Sequence, residues 1–135
     1  MFKTKDIMTK GVICVRIDTP IYEAIEIMVN NGVSGVPVVE EDMTLVGILS
    51  EQDVLRLLHT YKQERDRTAG DLMTHHVIYF KENDSLLDIC YRLRDSSIRR
   101  VPVTSDGKVT GIISRADILK CILQLLQQPC HADSQ

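Results

Sequence analysis

The spacing of apolar and polar positions along this chain predicts strands and helices in a simple order. The apolar run Val12–Val15 is rich in strand-forming residues. Apolar residues then recur at helical spacing over Ile21–Met28, and Gly32 follows as a favourable residue at the end of a helix. Two more apolar runs, Gly35–Val39 and Leu45–Leu49, predict a pair of strands joined by an acidic turn.

Helix starts can also be predicted in this first half. Thr19 is a plausible N-cap, with Pro20 at the first helical position, where a missing N–H has no cost. A second helix is expected to begin near Ser50, directly after the strand pair. Its inner face would carry Val54, Leu55, Leu57 and Leu58.

The rest of the chain repeats this order. The predicted elements are strand Val77–Phe80, helix Ser85–Asp95, strands Arg100–Thr104 and Val109–Ile113, and a helix from Ser114. The turn Ser105–Lys108 contains Asp-Gly, a strong signal for a hairpin. The segment Thr60–Gly70 is polar and charged, which suits a linker or an extension of the preceding helix.

Short blocks of sequence recur within this pattern. Asp6–Thr9 returns as Asp71–Thr74, Val36–Val38 as Val101–Val103, and Gly47–Leu55 as Gly111–Leu119. The last block returns one residue earlier than the others, which places a small deletion in the turn between the paired strands.

One such repeat would struggle to bury a core of its own, so the two halves should pack on each other. We predict an α/β fold with a half over residues 1–62, a half over residues 63–135, and a polar tail from about residue 128. Each half would be a small β-sheet packed by two helices. A pseudo-twofold axis would relate the halves, and a shared cleft would lie at their seam.

Composition narrows the function classes. The chain has 135 residues, of which 44% are hydrophobic and 26% charged, so a globular protein is expected. A net charge of −3 without a basic stripe argues against nucleic acid as a partner. No segment approaches the roughly 20 apolar residues of a membrane span, and the N-terminus lacks the apolar core of a signal peptide. Four cysteines without paired spacing favour reduced thiols and a cytoplasmic location.

The two ordered series of blocks resemble the CBS-domain pair, named after cystathionine β-synthase and also called a Bateman module. The resemblance covers the chain from about residue 5 to about residue 125. It implies a regulatory, energy-sensing module that binds adenosine-containing ligands in clefts between its motifs: AMP, ADP or ATP first, with NAD or S-adenosylmethionine also possible. No other cofactor is implied. No pairing of a nucleophile with a base indicates an enzyme.

The Ser-x-x-Asp pattern is where ligand chemistry is expected. Ser50 and Ser114 each end a strand and open a helix, so free N–H groups and a hydroxyl there would suit a phosphate. Asp53 and Asp117 follow one turn later, where a carboxylate can accept both hydroxyls of a ribose. The same pattern is also a capping box, and both roles are compatible because capping preorganises the carboxylate.

The resemblance implies that each cleft combines residues from both motifs. The Asp117 cleft would join Ser114 and Asp117 to Thr9, Val12, Ile13, Val33, Ser34 and Gly35. The Asp53 cleft would join Ser50 and Asp53 to Thr74, Val77, Ile78, Ile98, Arg99 and Arg100. Thr9 and Thr74 would direct a hydroxyl toward the base or ribose, or else serve as anchors and caps. The sequence does not decide which cleft fills first.

Charged residues distinguish the two clefts. Arg99 and Arg100 stand where the gamma subunits of the AMP-activated kinase carry His-Arg, and Arg100 could hold a phosphate through its forked donors. A solvated strand edge is the alternative for this arginine pair. Arg115 is a candidate phosphate contact in the Asp117 cleft, whereas Glu51 would repel a phosphate if it points inward.

Two further expectations concern metals and partners. His75 and His76 have no third ligand at useful spacing, so no metal site is predicted. The apolar run Ile118–Leu126 exceeds what one small helix needs for its own core, and together with the resemblance it predicts a homodimer. The competing function is a structural or partner-binding dimerisation module with empty clefts.

Overall fold

The computed structural model describes residues 2–59, 66–96 and 98–128. The first half contains α1 (Thr4–Ile7), β1 (Val15–Arg16), α2 (Ile21–Asn31), β2 (Gly35–Val39), β3 (Leu45–Ser50) and α3 (Glu51–Leu55). The second contains α4 (Ala69–Leu72), β4 (Phe80–Lys81), α5 (Leu86–Leu93), β5 (Arg100–Ser105), β6 (Lys108–Ser114) and α6 (Arg115–Gln127). The predicted boundary at residues 62 and 63, and the tail beyond residue 128, lie outside the described residues.

Each half contains one three-stranded sheet, and the two sheets have the same topology. β1 pairs in parallel with β2, which pairs antiparallel with β3, and β4, β5 and β6 repeat this arrangement. The predicted α/β fold is confirmed. The first strand of each half is shorter than predicted, because only the last predicted residue, Val15 or Phe80, and the residue after it pair with the next strand. Val12–Cys14 and Val77–Tyr79 lie outside the sheets.

The two hairpin turns differ in length, as the one-residue deletion requires. In the second half, Asp106 and Gly107 both have positive φ values, 52° and 80°, which is the conformation of a tight hairpin turn. The first-half turn is longer and places Met43 at a φ of 75°. The two turns meet across the seam, where the Leu45 N–H donates to the Gly107 carbonyl at 3.0 Å.

The N-terminal segment of each half packs on the other half. Thr9 forms a β-bridge with Ile112, and Thr74 forms the matching bridge with Ile48. Ala69 and Met73 belong to the buried cluster of the first half, and Met8 packs against the cluster of the second. This reciprocal packing explains the methionine in each Asp-x-Met-Thr block, because that side chain packs in the core of the other half.

Gly47 and its counterpart Gly111 make this reciprocal packing possible. A Cβ at Gly47 would lie 2.5 Å from Met73 Sδ and 2.8 Å from the Thr74 carbonyl oxygen, and a Cβ at Gly111 would overlap Met8. Both distances fall below van der Waals contact. The glycine of each Gly-Ile-x-Ser block is therefore required by the close approach of the opposite segment.

Two local predictions about helices are wrong. Pro20, not Thr19, is the N-cap of α2, and the Thr19 hydroxyl instead accepts the Arg16 N–H at 2.9 Å. Leu55 and Leu58 are not on an inner face, since 56% and 76% of their surfaces are exposed. The predicted end of α2 is confirmed at Gly32, which adopts a left-handed conformation.

Candidate functional site

Both Ser-x-x-Asp patterns form complete capping boxes. Asp53 Oδ2 accepts the Ser50 backbone N–H at 2.9 Å, and the Ser50 hydroxyl oxygen accepts the Asp53 N–H at 3.3 Å. The matching distances for Ser114 and Asp117 are 2.9 Å and 3.1 Å. Capping fixes each carboxylate at the start of its helix, which is the preorganisation that the sequence predicted.

At the same helix starts, most of the backbone N–H groups that the sequence assigned to a phosphate already have an acceptor within the protein. The Glu51 N–H donates to the Ser34 carbonyl at 2.8 Å, and the Arg115 N–H donates to the Arg99 carbonyl at 3.1 Å. The backbone N–H groups of the serine and the aspartate are bonded within each capping box. The expectation that unpaired amides face the cleft is therefore wrong for most of these groups, because the protein itself satisfies them.

Each carboxylate contacts the threonine of the opposite motif. The Thr9 hydroxyl lies 3.4 Å from both carboxylate oxygens of Asp117. The Thr74 hydroxyl lies 3.2 Å from Asp53 Oδ1 and 3.4 Å from Oδ2. Both predicted cross-motif pairs are therefore brought together, and the threonines contact the expected ribose acceptors.

The Asp117 cleft contains a small, largely apolar pocket of about 120 Å³. It is lined by Thr9, Gly11, Val12, Ile13, Val33, Gly35, Val36, Arg100 and Ile112. Five of the residues predicted for this cleft, from the two segments 9–13 and 33–35, thus share one pocket. Apolar walls of this kind suit the flat face of a purine base.

A larger open cavity of about 470 Å³ runs along the seam beside this pocket. It is lined by Ser34, Gly35, Pro37, Ile48, Ser50, Glu51, Gln52, Ile98, Arg99, Arg100, Pro102 and Ile112. Four of the residues predicted for the Asp53 cleft line it, and Ser34 and Gly35 of the other cleft do too. Arg100 lines both cavities, so it lies between the clefts instead of belonging to one.

Several predicted site residues line neither cavity: Asp53, Thr74, Val77, Ile78, Ser114, Arg115 and Asp117. Val77 is half-buried outside them, and Ile78 packs against the core of the second half. Arg115 is turned toward the end of α5: its guanidinium donates to the carbonyls of Ile98 at 2.8 Å and Leu93 at 3.0 Å, and to that of Ser96. The expected phosphate contact at Arg115 is not supported, because these carbonyls already hold its donors.

The electrostatics of the seam are dominated by the arginine pair. Arg99 and Arg100 are exposed, and no carboxylate among the described residues forms an ion pair with either. Glu51 is also exposed at the cavity wall, beside Ser50. An anion is therefore favoured near Arg99 and Arg100 and disfavoured near Ser50.

Sequence reasoning missed Arg56. Its guanidinium donates to Asp53 Oδ1 at 2.9 Å and to the Leu72 carbonyl at 3.4 Å, so it joins the expected ribose acceptor to the opposite half. The available signal was the spacing, because residues three apart are neighbours on a helix surface.

A sequence model of the CBS domain matches residues 5–60 and again residues 69–124. The chain belongs to the CBS-domain family. It is 31% identical over 118 residues to protein MJ1225 of Methanocaldococcus jannaschii, covering 87% of this chain and 42% of that protein. It is 33% identical over 135 residues to the chloroplastic CBS domain-containing protein CBSX1 of Arabidopsis thaliana, covering 79% of this chain and 57% of that one.

Solved structures of CBS-pair proteins match the same fold. CBSX2 in complex with AMP is 30% identical, with a TM-score of 0.82 over 94% of this chain and all of that chain. The CBS pair of protein MJ0100, in complex with 5′-methylthioadenosine and S-adenosylmethionine, is 27% identical, with a TM-score of 0.76 over 93% of this chain and 98% of that one.

Hypoxic Response Protein I was solved with two coordinated zinc ions. It is 26% identical, with a TM-score of 0.77 over 95% of this chain and all of that chain. Within residues 2–59, 66–96 and 98–128, this CBS pair has no group of three or more His, Cys, Asp or Glu side chains placed to hold a metal. In the same ranges, no helix has the length and apolar content to cross a membrane.

Proposed function

We propose that this CBS pair is a regulatory module that binds an adenosine-containing ligand in a cleft between its two motifs. The observation that carries the proposal is the contact of each capping aspartate with the threonine of the opposite motif, Asp117 with Thr9 and Asp53 with Thr74. Both pairs lie beside the seam, and this supports a ribose acceptor there. The adenosine compounds bound by CBSX2 and MJ0100 support the choice of ligand class.

In this proposal the base lies in the apolar pocket beside Val12 and Ile13, and the ribose hydroxyls are bonded by the capping aspartate. A phosphate would lie toward Arg99 and Arg100, whose exposed guanidinium groups face the larger cavity. Forked N–H donors match phosphate geometry and favour charged nucleotides over free adenosine. AMP, ADP and ATP are therefore the first candidates, with NAD and S-adenosylmethionine next.

The module carries out no chemistry of its own in this proposal. It would act in the cytoplasm as an energy sensor, with ligand binding changing how it contacts other proteins. It would also form a homodimer through α6, where Leu119, Leu123 and Leu126 are 66%, 54% and 78% exposed. Apolar surface of that extent usually marks an interface.

Isothermal titration of the protein with AMP, ADP, ATP, NAD and S-adenosylmethionine tests the proposal. We expect saturable binding of at least one of these compounds. GMP is the control for the base and should not bind. If none of them binds at millimolar concentration, the clefts are empty and the module serves contacts between proteins only.

A further inference from the structure

The two capping aspartates are equivalent in sequence but not in their surroundings. Asp53 is 6% exposed, whereas Asp117 is half-buried. A carboxylate offers about four lone-pair positions for hydrogen bonds. The number of positions that remain open for a ribose therefore depends on how many donors the protein itself supplies.

At Asp53 the protein supplies donors to both oxygens. Oδ2 accepts the backbone N–H and the hydroxyl of Ser50, each at 2.9 Å. Oδ1 accepts the Arg56 guanidinium at 2.9 Å and the Thr74 hydroxyl at 3.2 Å. These four donor groups match the capacity of the carboxylate. A ribose could bond to Asp53 only after it displaced one of them.

At Asp117 the described residues supply fewer hydrogen-bond donors than the carboxylate can accept. Oδ2 accepts the Ser114 N–H at 2.9 Å, and among the described residues Oδ1 has only the Thr9 hydroxyl, at 3.4 Å. The residue at the position of Arg56 in the second half is Lys120, which is exposed and, among the described residues, forms no hydrogen bond or ion pair with Asp117. The Asp117 cleft also has the apolar pocket beside Thr9.

We propose that Arg56 keeps the Asp53 cleft closed to ribose, so that this chain binds one adenosine ligand, in the Asp117 cleft. The inference rests on the proposed function and adds the site and the stoichiometry. Arg56 closes the cleft from outside, since its side chain is 66% exposed, and its second bond to the Leu72 carbonyl holds it across the seam. Glu51, beside Ser50, disfavours a phosphate at the same helix start.

Titration with AMP, with the number of sites fitted per chain, tests this inference. The wild type should bind one AMP. Asp117→Asn should weaken that binding by about 30-fold or more, whereas Asp53→Asn should change it by less than about threefold. Arg56→Gln should raise the number of sites to two. Lys120→Gln, the matched change in the other half, should leave it at one.

Three results would overturn the inference: two sites in the wild type, a single site that Asp53→Asn removes, or a folded Arg56→Gln variant that still binds one AMP. Circular dichroism establishes whether each variant is folded. Should Arg56→Gln not fold, the two aspartate variants in the wild-type background still decide which cleft binds. If AMP, ADP, ATP, NAD and S-adenosylmethionine all fail to bind the wild type and every variant, the proposed function itself is wrong, and this inference is wrong with it.

Discussion

Thr9 and Asp117 are 108 positions apart in sequence, yet the threonine hydroxyl lies 3.4 Å from both carboxylate oxygens. The contact depends on two independent features. One is the capping box, which holds Asp117 at the start of α6, and the other is the bridge of Thr9 to Ile112 on the neighbouring strand. The contact between Thr9 and Asp117 thus combines a local capping motif with a long-range contact between the halves, and the proposed ribose site lies there.

Removal of both capping aspartates should abolish ligand binding. A lost bidentate contact to a charged carboxylate costs about 2–3 kcal/mol, or about 30- to 150-fold in affinity. We expect Asp53→Ala with Asp117→Ala to eliminate measurable titration with AMP, while circular dichroism still shows a folded chain. The lost caps should lower stability by about 1 kcal/mol each.

Asp88→Ala is the matched control for that variant, because Asp88 is also in the first turn of a helix but lines neither cavity of the seam. Its affinity for AMP should equal that of the wild type. If the double variant lost stability but kept its affinity, the two aspartates would be caps and nothing more.

Ligand binding should also raise the melting temperature. A ligand that binds only the folded state, at about 100 times its dissociation constant, adds roughly 2.7 kcal/mol. For a chain of this size the expected rise is about 5–15 °C by differential scanning fluorimetry. A rise with guanosine compounds alone would contradict the assignment of adenine.

Gly47→Ala should destabilise the contact between the two halves. The added Cβ would lie 2.8 Å from the Thr74 carbonyl oxygen, which belongs to the backbone and cannot rotate away. Overpacking of this kind costs about 1–3 kcal/mol, measurable by urea unfolding. Gly35→Ala is the control, since its Cβ would make ordinary contact at 3.4 Å from the Leu49 carbonyl oxygen. Equal stabilities for the two variants would argue against close packing at Gly47.

The exposed face of α6 should mediate a dimer. Sedimentation at micromolar concentration should give twice the 15.3 kDa of one chain. Leu123→Lys with Leu126→Lys should shift the protein toward monomer, because charged side chains would have to be buried in the interface. Tyr22→Lys, at an equally exposed apolar position on α2, should leave the dimer intact. A monomeric wild type would refute the interface but not the clefts.

The Cys14 thiol should react slowly at pH 8. Burial raises its pKa from the ordinary value of 9.0 to about 11, so the reactive thiolate is scarce until the pH is high. Mass spectrometry of the Cys14 peptide should show slower alkylation by iodoacetamide than in the same chain unfolded in guanidinium. The folded thiol stays protonated to a higher pH than the unfolded thiol, so the free energy of unfolding should fall as the pH rises from about 9 toward 11. Equal rates in both states would contradict the burial of this thiol.

Much of the fold could be predicted from the sequence because it depends on local patterns. The hairpin at Asp106 and Gly107 follows from two residues that tolerate positive φ, and the α2 terminus follows from Gly32. The capping boxes follow from a spacing of three residues on a helix. The pairing of Thr9 with Asp117 was expected as well, but from the family resemblance and not from the residues alone.

Only the tertiary structure decided which hydrogen-bond partners each site residue has. Arg115 and Arg56 both carry guanidinium groups near a capping serine, yet one bonds to carbonyls at the end of α5 and the other to Asp53. The competing acceptors come from segments distant in sequence, and their positions depend on how the two halves dock. The sequence by itself therefore determined a two-fold repeat with two similar clefts, and the docking of the halves made those clefts different.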